Sequence, residues 1–149
     1  MNAAMTIYMG SDHAGLELKQ NLRAHLESKG FKVIDLGVFE VEPVDYPEIA
    51  REVSEKVQEN PTSKGILVCG TGIGMCMTAN KMPGIRAANC ESVATAEMSR
   101  KHNDANILCL GGRVLKPELA HQVVDVFMNT AFEGGRHIAR VAKIEPQKQ

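Results

Sequence analysis

At 149 residues the chain matches a single domain, and 44% hydrophobic residues supply a sizeable core without a membrane span. Its 17 basic and 18 acidic side chains nearly cancel, which argues against general attraction to nucleic acid or a bilayer and leaves a small molecule as the expected ligand. The amino terminus lacks the charged segment and long apolar stretch of a leader or anchor, and Cys69, Cys76, Cys90 and Cys109 form no C-x-x-C pair. Free thiols in the cytoplasm are therefore expected.

Thr6 to Met9 reads as a short strand, broken at Gly10-Ser11-Asp12-His13, after which Leu16, Leu18, Leu22 and Leu26 recur at roughly helical spacing. Gly30 ends that helix, and Lys32 to Leu36 is the second strand, which completes a β-α-β unit. A loop from Gly37 to Tyr46 leads to a helix marked by Ile49, Val53 and Val57 and stopped at Asn60-Pro61. Gly65 to Cys69 is the third strand, followed by a helix through Lys81. Arg86 to Asn89 is the fourth, followed by a helix over Ser92 to His102.

Ile107 to Leu110 is the fifth strand, and Pro117 opens a helix to about Asn129. Gly134-Gly135 then breaks the chain before a short terminal helix over Arg136 to Ile144. Regular alternation predicts one α/β domain over 1–149, a Rossmann-like or flavodoxin-like three-layer sandwich on a five-stranded parallel sheet. Residues 1–5 read as an extension, and the tail from about residue 134 as a projecting helix suited to a partner subunit.

The run Cys69-Gly70-Thr71-Gly72-Ile73-Gly74 delivers a thiol from a buried strand into a glycine-rich turn. The G-x-G-x-x-G spacing of a dinucleotide site would need glycine at position 75, where Met75 stands, so nicotinamide binding is disfavoured. The glycines still offer backbone N–H groups to an anion or a thiolate. Cys69 is either a reactive thiol or a small core hydrophobe; Cys76, Cys90 and Cys109 read as core.

Asp12 and His13 end the first strand and share Cys69's edge, unless they are only a helix cap and a solvent-facing histidine. His102 and Asn103 close the fourth helix and are expected to converge on that edge too, although a histidine also suits a helix carboxyl end. Arg136 and Arg140, four apart, share a helical face and make either a solvated pair or a phosphate fork, which Arg113 would join.

Together the motifs Gly10-Ser11-Asp12-His13-Ala14-Gly15, Asp45-Tyr46-Pro47, Cys69 to Gly74, Ala79-Asn80-Lys81, Gly84-Ile85-Arg86-Ala87, His102-Asn103-Asp104-Ala105-Asn106 and Glu133-Gly134-Gly135-Arg136-His137 resemble the type B ribose-5-phosphate isomerases. The resemblance runs from about Thr6 to Arg140. It implies a metal-free, cofactor-free interconversion of ribose 5-phosphate and ribulose 5-phosphate in a homodimer, or a tetramer, whose sites lie between subunits. By the same resemblance Cys69 is the base and His102 opens the sugar ring, with Thr71 and Asp12 assisting.

Gly70, Gly72, Gly74 and Asn103 would hold the enediolate and hydroxyls, Tyr46 would line the pocket, and His13, Arg113, Arg136 and Arg140 would face the phosphate. Some members carry a glutamate base where Met75 stands, so the resemblance is to the cysteine-based subgroup. Two alternatives remain: an isomerase of a six-carbon aldose 6-phosphate such as allose or galactose 6-phosphate, and a non-catalytic sugar-phosphate or nucleotide sensor on the same fold.

Overall fold

A computed structural model describes residues 5–146. Five strands, β1 (Thr6–Ser11), β2 (Lys32–Asp35), β3 (Lys64–Cys69), β4 (Ala87–Asn89) and β5 (Ile107–Gly111), form one parallel sheet in the order β2-β1-β3-β5-β4. Every pairing is parallel, from Thr6 against Lys32 to Cys69 against Gly111. Parallel neighbours require crossovers, and helices α1 (Leu16–Ser28), α2 (Tyr46–Glu59), α3 (Ile73–Ala79) and α4 (Val93–Lys101) supply them, while α5 (Pro117–Asn129) follows the last strand. A six-residue α6 (His137–Ala142) follows α5.

Because both faces of the sheet are covered, its strands read as apolar runs rather than alternating ones. Leu18, Leu22 and Leu26 of α1 and Val123, Val124 and Phe127 of α5 bury one face. Ile49, Val53 and Val57 of α2, with Met75 and Ala79 of α3, bury the other. The expected three layers are therefore the observed ones.

β1 runs two residues beyond the expected Met9, through Gly10 and Ser11. Gly10 is a packing residue here: a Cβ added to it would lie 2.5 Å from Cγ2 of Ile49. The break comes at Asp12, whose carboxylate accepts from the Gly15 N–H at 3.0 Å and caps the 3-10 turn His13–Gly15. Of the expected extension, residues 1–4 lie outside the described residues, as do residues 147–149 of the tail; Met5 bonds through its carbonyl to the Lys32 N–H.

Beneath the loop between β2 and α2, Lys19 is fully buried and its ammonium lies 2.7 Å from Asp35 and against the Val38 carbonyl. Burial pulls this ammonium below the usual lysine range, with Asp35 opposing. Removing one partner of such a pair leaves a buried charge uncompensated.

Candidate active site

In open parallel sheets ligands bind beyond the carboxyl ends of the strands, where the chain order reverses direction. Here that switch lies between β1 and β3, because β1 continues outward to β2 and β3 connects toward the opposite side. Asp12 follows the last residue of β1, and Cys69 is the last residue of β3. Both line a cleft of about 450 Å³ with Tyr46, Gly70, Thr71 and Gly74.

Cys69 is 6% exposed, and its sulfur accepts the Gly72 N–H at 3.1 Å. Gly72 has φ +85°, and a Cβ there would meet the Asn89 side-chain oxygen at 2.7 Å; only glycine lets this N–H turn back onto the sulfur. Gly74 fits against Tyr46, whose ring carbon would be 2.5 Å from an added Cβ. The Thr71 hydroxyl accepts from the Ile73 N–H at 3.2 Å and stays exposed at the mouth. Met75, where some resembling proteins carry glutamate, is fully buried.

Arg113 joins this edge: its N–H donates to the Gly70 carbonyl at 3.0 Å, and its guanidinium reaches 3.5 Å from the position a Gly70 Cβ would occupy. His13 is exposed one residue beyond Asp12. His102, Asn103, Arg136 and Arg140 do not meet Cys69 in this chain, contrary to the expected convergence, and Arg113 does not join Arg136 and Arg140. Helices in a crossover run antiparallel to their strands, so the carboxyl end of α4 falls at the amino edge of the sheet. His102 sits there, five residues before β5 begins.

From Ile107 to Gly111 the strand spans about 13 Å, a lower bound on the separation of the two edges. α5 also ends at the lower edge and returns the chain to it. The Glu133 N–H donates to the Lys101 carbonyl at 3.1 Å, and the rings of His102 and His137 stack with centroids 4.4 Å apart. Arg136 and Arg140 are exposed beside them with no ion-pair partner among the described residues. Arg100 fastens this edge, donating to the Thr130 and Ala105 carbonyls and to Asp104.

The predicted residues thus fall into two groups, one with the thiol and one with the stacked histidines and the exposed arginines. Sequence reasoning passed over Glu133 and His137 as contacts of His102. The rule that a crossover helix ends opposite its strand's carboxyl end would have separated the two groups.

Among the described residues, His102, Glu133 and His137 bring three metal-type donor atoms within 4.8 Å of one another. The two rings are only 17° from parallel, so their in-plane lone pairs run side by side and do not converge on one ion. The other cysteines are not equivalent to Cys69. A hydrogen bond from Cys109 draws the Cys76 thiol down to about 7, while the contact with Cys76 and complete burial push Cys109 well up. Burial also raises Cys90.

The model of the family described as Ribose/Galactose Isomerase matches residues 7–144. A Mycoplasma pneumoniae protein named "Probable ribose-5-phosphate isomerase B" is 51% identical over 139 residues, covering 93% of this chain and 91% of that protein. The solved ribose-5-phosphate isomerase B of Clostridium thermocellum superposes with TM-score 0.92 at 48% identity, covering 94% of this chain and 95% of that one. That of Mycoplasma genitalium, solved with bound ribulose-5-phosphate, gives TM-score 0.93 at 43% identity over 96% and 95%. The chain belongs to the Ribose/Galactose Isomerase family.

Proposed function

We propose that this chain is an aldose-ketose isomerase interconverting ribose 5-phosphate and ribulose 5-phosphate, with each active site built from the Cys69 edge of one copy and the His102 edge of a second. The observation that carries this reading is the Cys69 sulfur, held by the Gly72 N–H at the mouth of a cleft at the sheet's switch point. The shared name of the relatives supports a pentose phosphate over a six-carbon one.

His102 hands a proton to the ring oxygen as the bond from that oxygen to carbon 1 breaks and the carbon 1 hydroxyl releases its own proton to solvent. The Cys69 thiolate then takes the carbon 2 proton of the open aldehyde, leaving an enediolate, and, as the proton on oxygen 2 passes to oxygen 1, returns its own proton to carbon 1 to give the ketose. Gly70, Gly72, Gly74 and Asn103 face the enediolate and hydroxyls, Thr71 and Asp12 assist at the oxygens, and Tyr46 walls the pocket. His13 and Arg113 from one copy and Arg136 and Arg140 from the other take the phosphate. The skeleton ends at the redox level at which it began, so the route needs no redox cofactor.

General acid-base catalysis supplies roughly 10²–10⁴-fold, and positioning by the phosphate grip adds to it. A two-fold pairing repeats each edge-to-edge contact, so a homodimer carries two complete sites. Exposed apolar residues occupy both edges, Ile73 and Met77 at one and Met98 and Ile138 at the other, as a covered interface requires. Four unbridged cysteines suit a reducing cytoplasm, and no described helix is long and apolar enough to cross a membrane.

Mixing Cys69→Ala and His102→Asn chains tests the reading. Each mixed dimer has one site with both substitutions and one with neither, so random re-pairing restores about a quarter of wild-type activity from two inactive parents. No recovery, in a mixture shown to contain mixed dimers, rejects the shared site.

A further inference from the structure

The Glu133-Gly134-Gly135-Arg136-His137 stretch carries two side chains to which the isomerase chemistry above assigns nothing, and both contact His102. Oε1 of Glu133 lies 3.6 Å from Nε2 of His102 and 3.5 Å from Nε2 of His137. The His137 ring is buried and stacks on that of His102. Gly134 and Gly135, at φ +70° and +55°, turn the chain so that residues 133 and 137 reach the same imidazole. The Glu133 N–H, tied to the Lys101 carbonyl, locks this turn to the end of α4.

We propose that Glu133 and His137 are positioning residues for His102, the stack fixing the plane of its ring and the carboxylate holding its Nε2 edge, so that the other ring nitrogen is presented to the sugar. This inference rests on the reading of His102 as the ring-opening acid. A histidine 39% exposed at a helix end otherwise rotates freely between rotamers, and freezing it in one is a cost the two neighbours meet before substrate arrives. A carboxylate against one imidazole edge is the arrangement that sets ring orientation. At 3.5–3.6 Å these contacts are longer than a formed hydrogen bond, as catalytic contacts often are before substrate tightens them.

Ring opening and carbon-proton transfer can be read separately. Ribose 5-phosphate arrives as a ring, so its turnover needs His102. Ribulose 5-phosphate has its fifth oxygen esterified and cannot close a furanose on its carbonyl. Exchange of its carbon 1 proton with solvent therefore needs Cys69 and not the ring-opening acid.

The test compares Glu133→Gln and His137→Asn with His102→Asn as reference. It measures ribose 5-phosphate turnover and uptake of deuterium from D₂O at carbon 1 of ribulose 5-phosphate. Both variants are expected to lose roughly 10- to 100-fold in kcat for ribose 5-phosphate, with KM nearly unchanged and exchange retained. Glu133→Asp should recover part of the loss.

Glu133 is half exposed, so its isosteric change keeps the test open even where His137→Asn fails to fold. Unchanged turnover in Glu133→Gln, or equal loss of turnover and exchange, overturns the proposal. If His102→Asn itself keeps ribose 5-phosphate turnover, it is the ring-opening assignment that falls. If only His102→Asn loses turnover, that assignment stands and the positioning role falls.

Discussion

The two edges of the sheet carry different kinds of chemistry. At the carboxyl edge the groups are set by backbone: Cys69 ends a strand, a glycine N–H holds its sulfur, and Asp12 caps a turn. At the amino edge they are set by side chains, with two stacked imidazoles, a carboxylate between them and arginines at the start and within a six-residue helix. Strand ends and glycine turns hold a reacting atom within tenths of an ångström, which suits a base that must meet one carbon-bound proton. The side-chain edge suits work on oxygens and phosphate, whose hydrogen bonds tolerate a wider range of directions.

Three substitutions sharpen that contrast. The largest effect is expected from Cys69→Ala, which should cost roughly 10²–10⁴-fold in both ribose 5-phosphate turnover and ribulose 5-phosphate exchange. Retention of most of either by a folded, paired variant breaks the assignment of the base to this edge.

Arg140→Ala should raise KM for ribose 5-phosphate by about 10- to 100-fold, the worth of a charged hydrogen bond of roughly 1.5–3 kcal/mol. Its residual rate on unphosphorylated ribose should equal that of wild type. A loss that persists without the phosphate would show that this cation serves something other than the phosphate.

The smallest effect is expected at Cys76, which lies outside the lining of the Cys69 cleft. Cys76→Ser should leave turnover unchanged. In a Cys69→Ala background Cys76 should be alkylated faster than Cys90 and Cys109, with the rate dropping as pH falls below about 7. Preferential labelling of Cys109 would contradict the ordering set by burial and the thiol pair.

Most of the layer architecture was legible because apolar runs and leucine spacing report local period directly. α5 begins at Pro117 and ends at Asn129 as read. Gly10 misled the reading because glycine signals a turn in sequence, while here it makes room for Ile49 and Val53 in mid-strand. The thiol's neighbours were legible for two reasons: Asp12 and the glycine loop follow from strand ends facing one way, and Tyr46 from the family resemblance alone. His102 was misplaced because motif order says nothing about which end of the sheet a residue reaches; that depends on the direction of the helix carrying it. Glu133 and His137 acquire meaning only through the left-handed turn between them, which no hydrophobic period records.

Arg100 bears on how two copies would come together. Its guanidinium ties the last turn of α4, the approach to β5 and the end of α5 within a single chain, and it lies over the Phe127 ring at 5.9 Å. The lower surface is therefore finished within one chain, so the proposed association would join two folded bodies and would not complete an unfinished one. Dilution should then silence turnover well before it disturbs the circular dichroism of the separated chains.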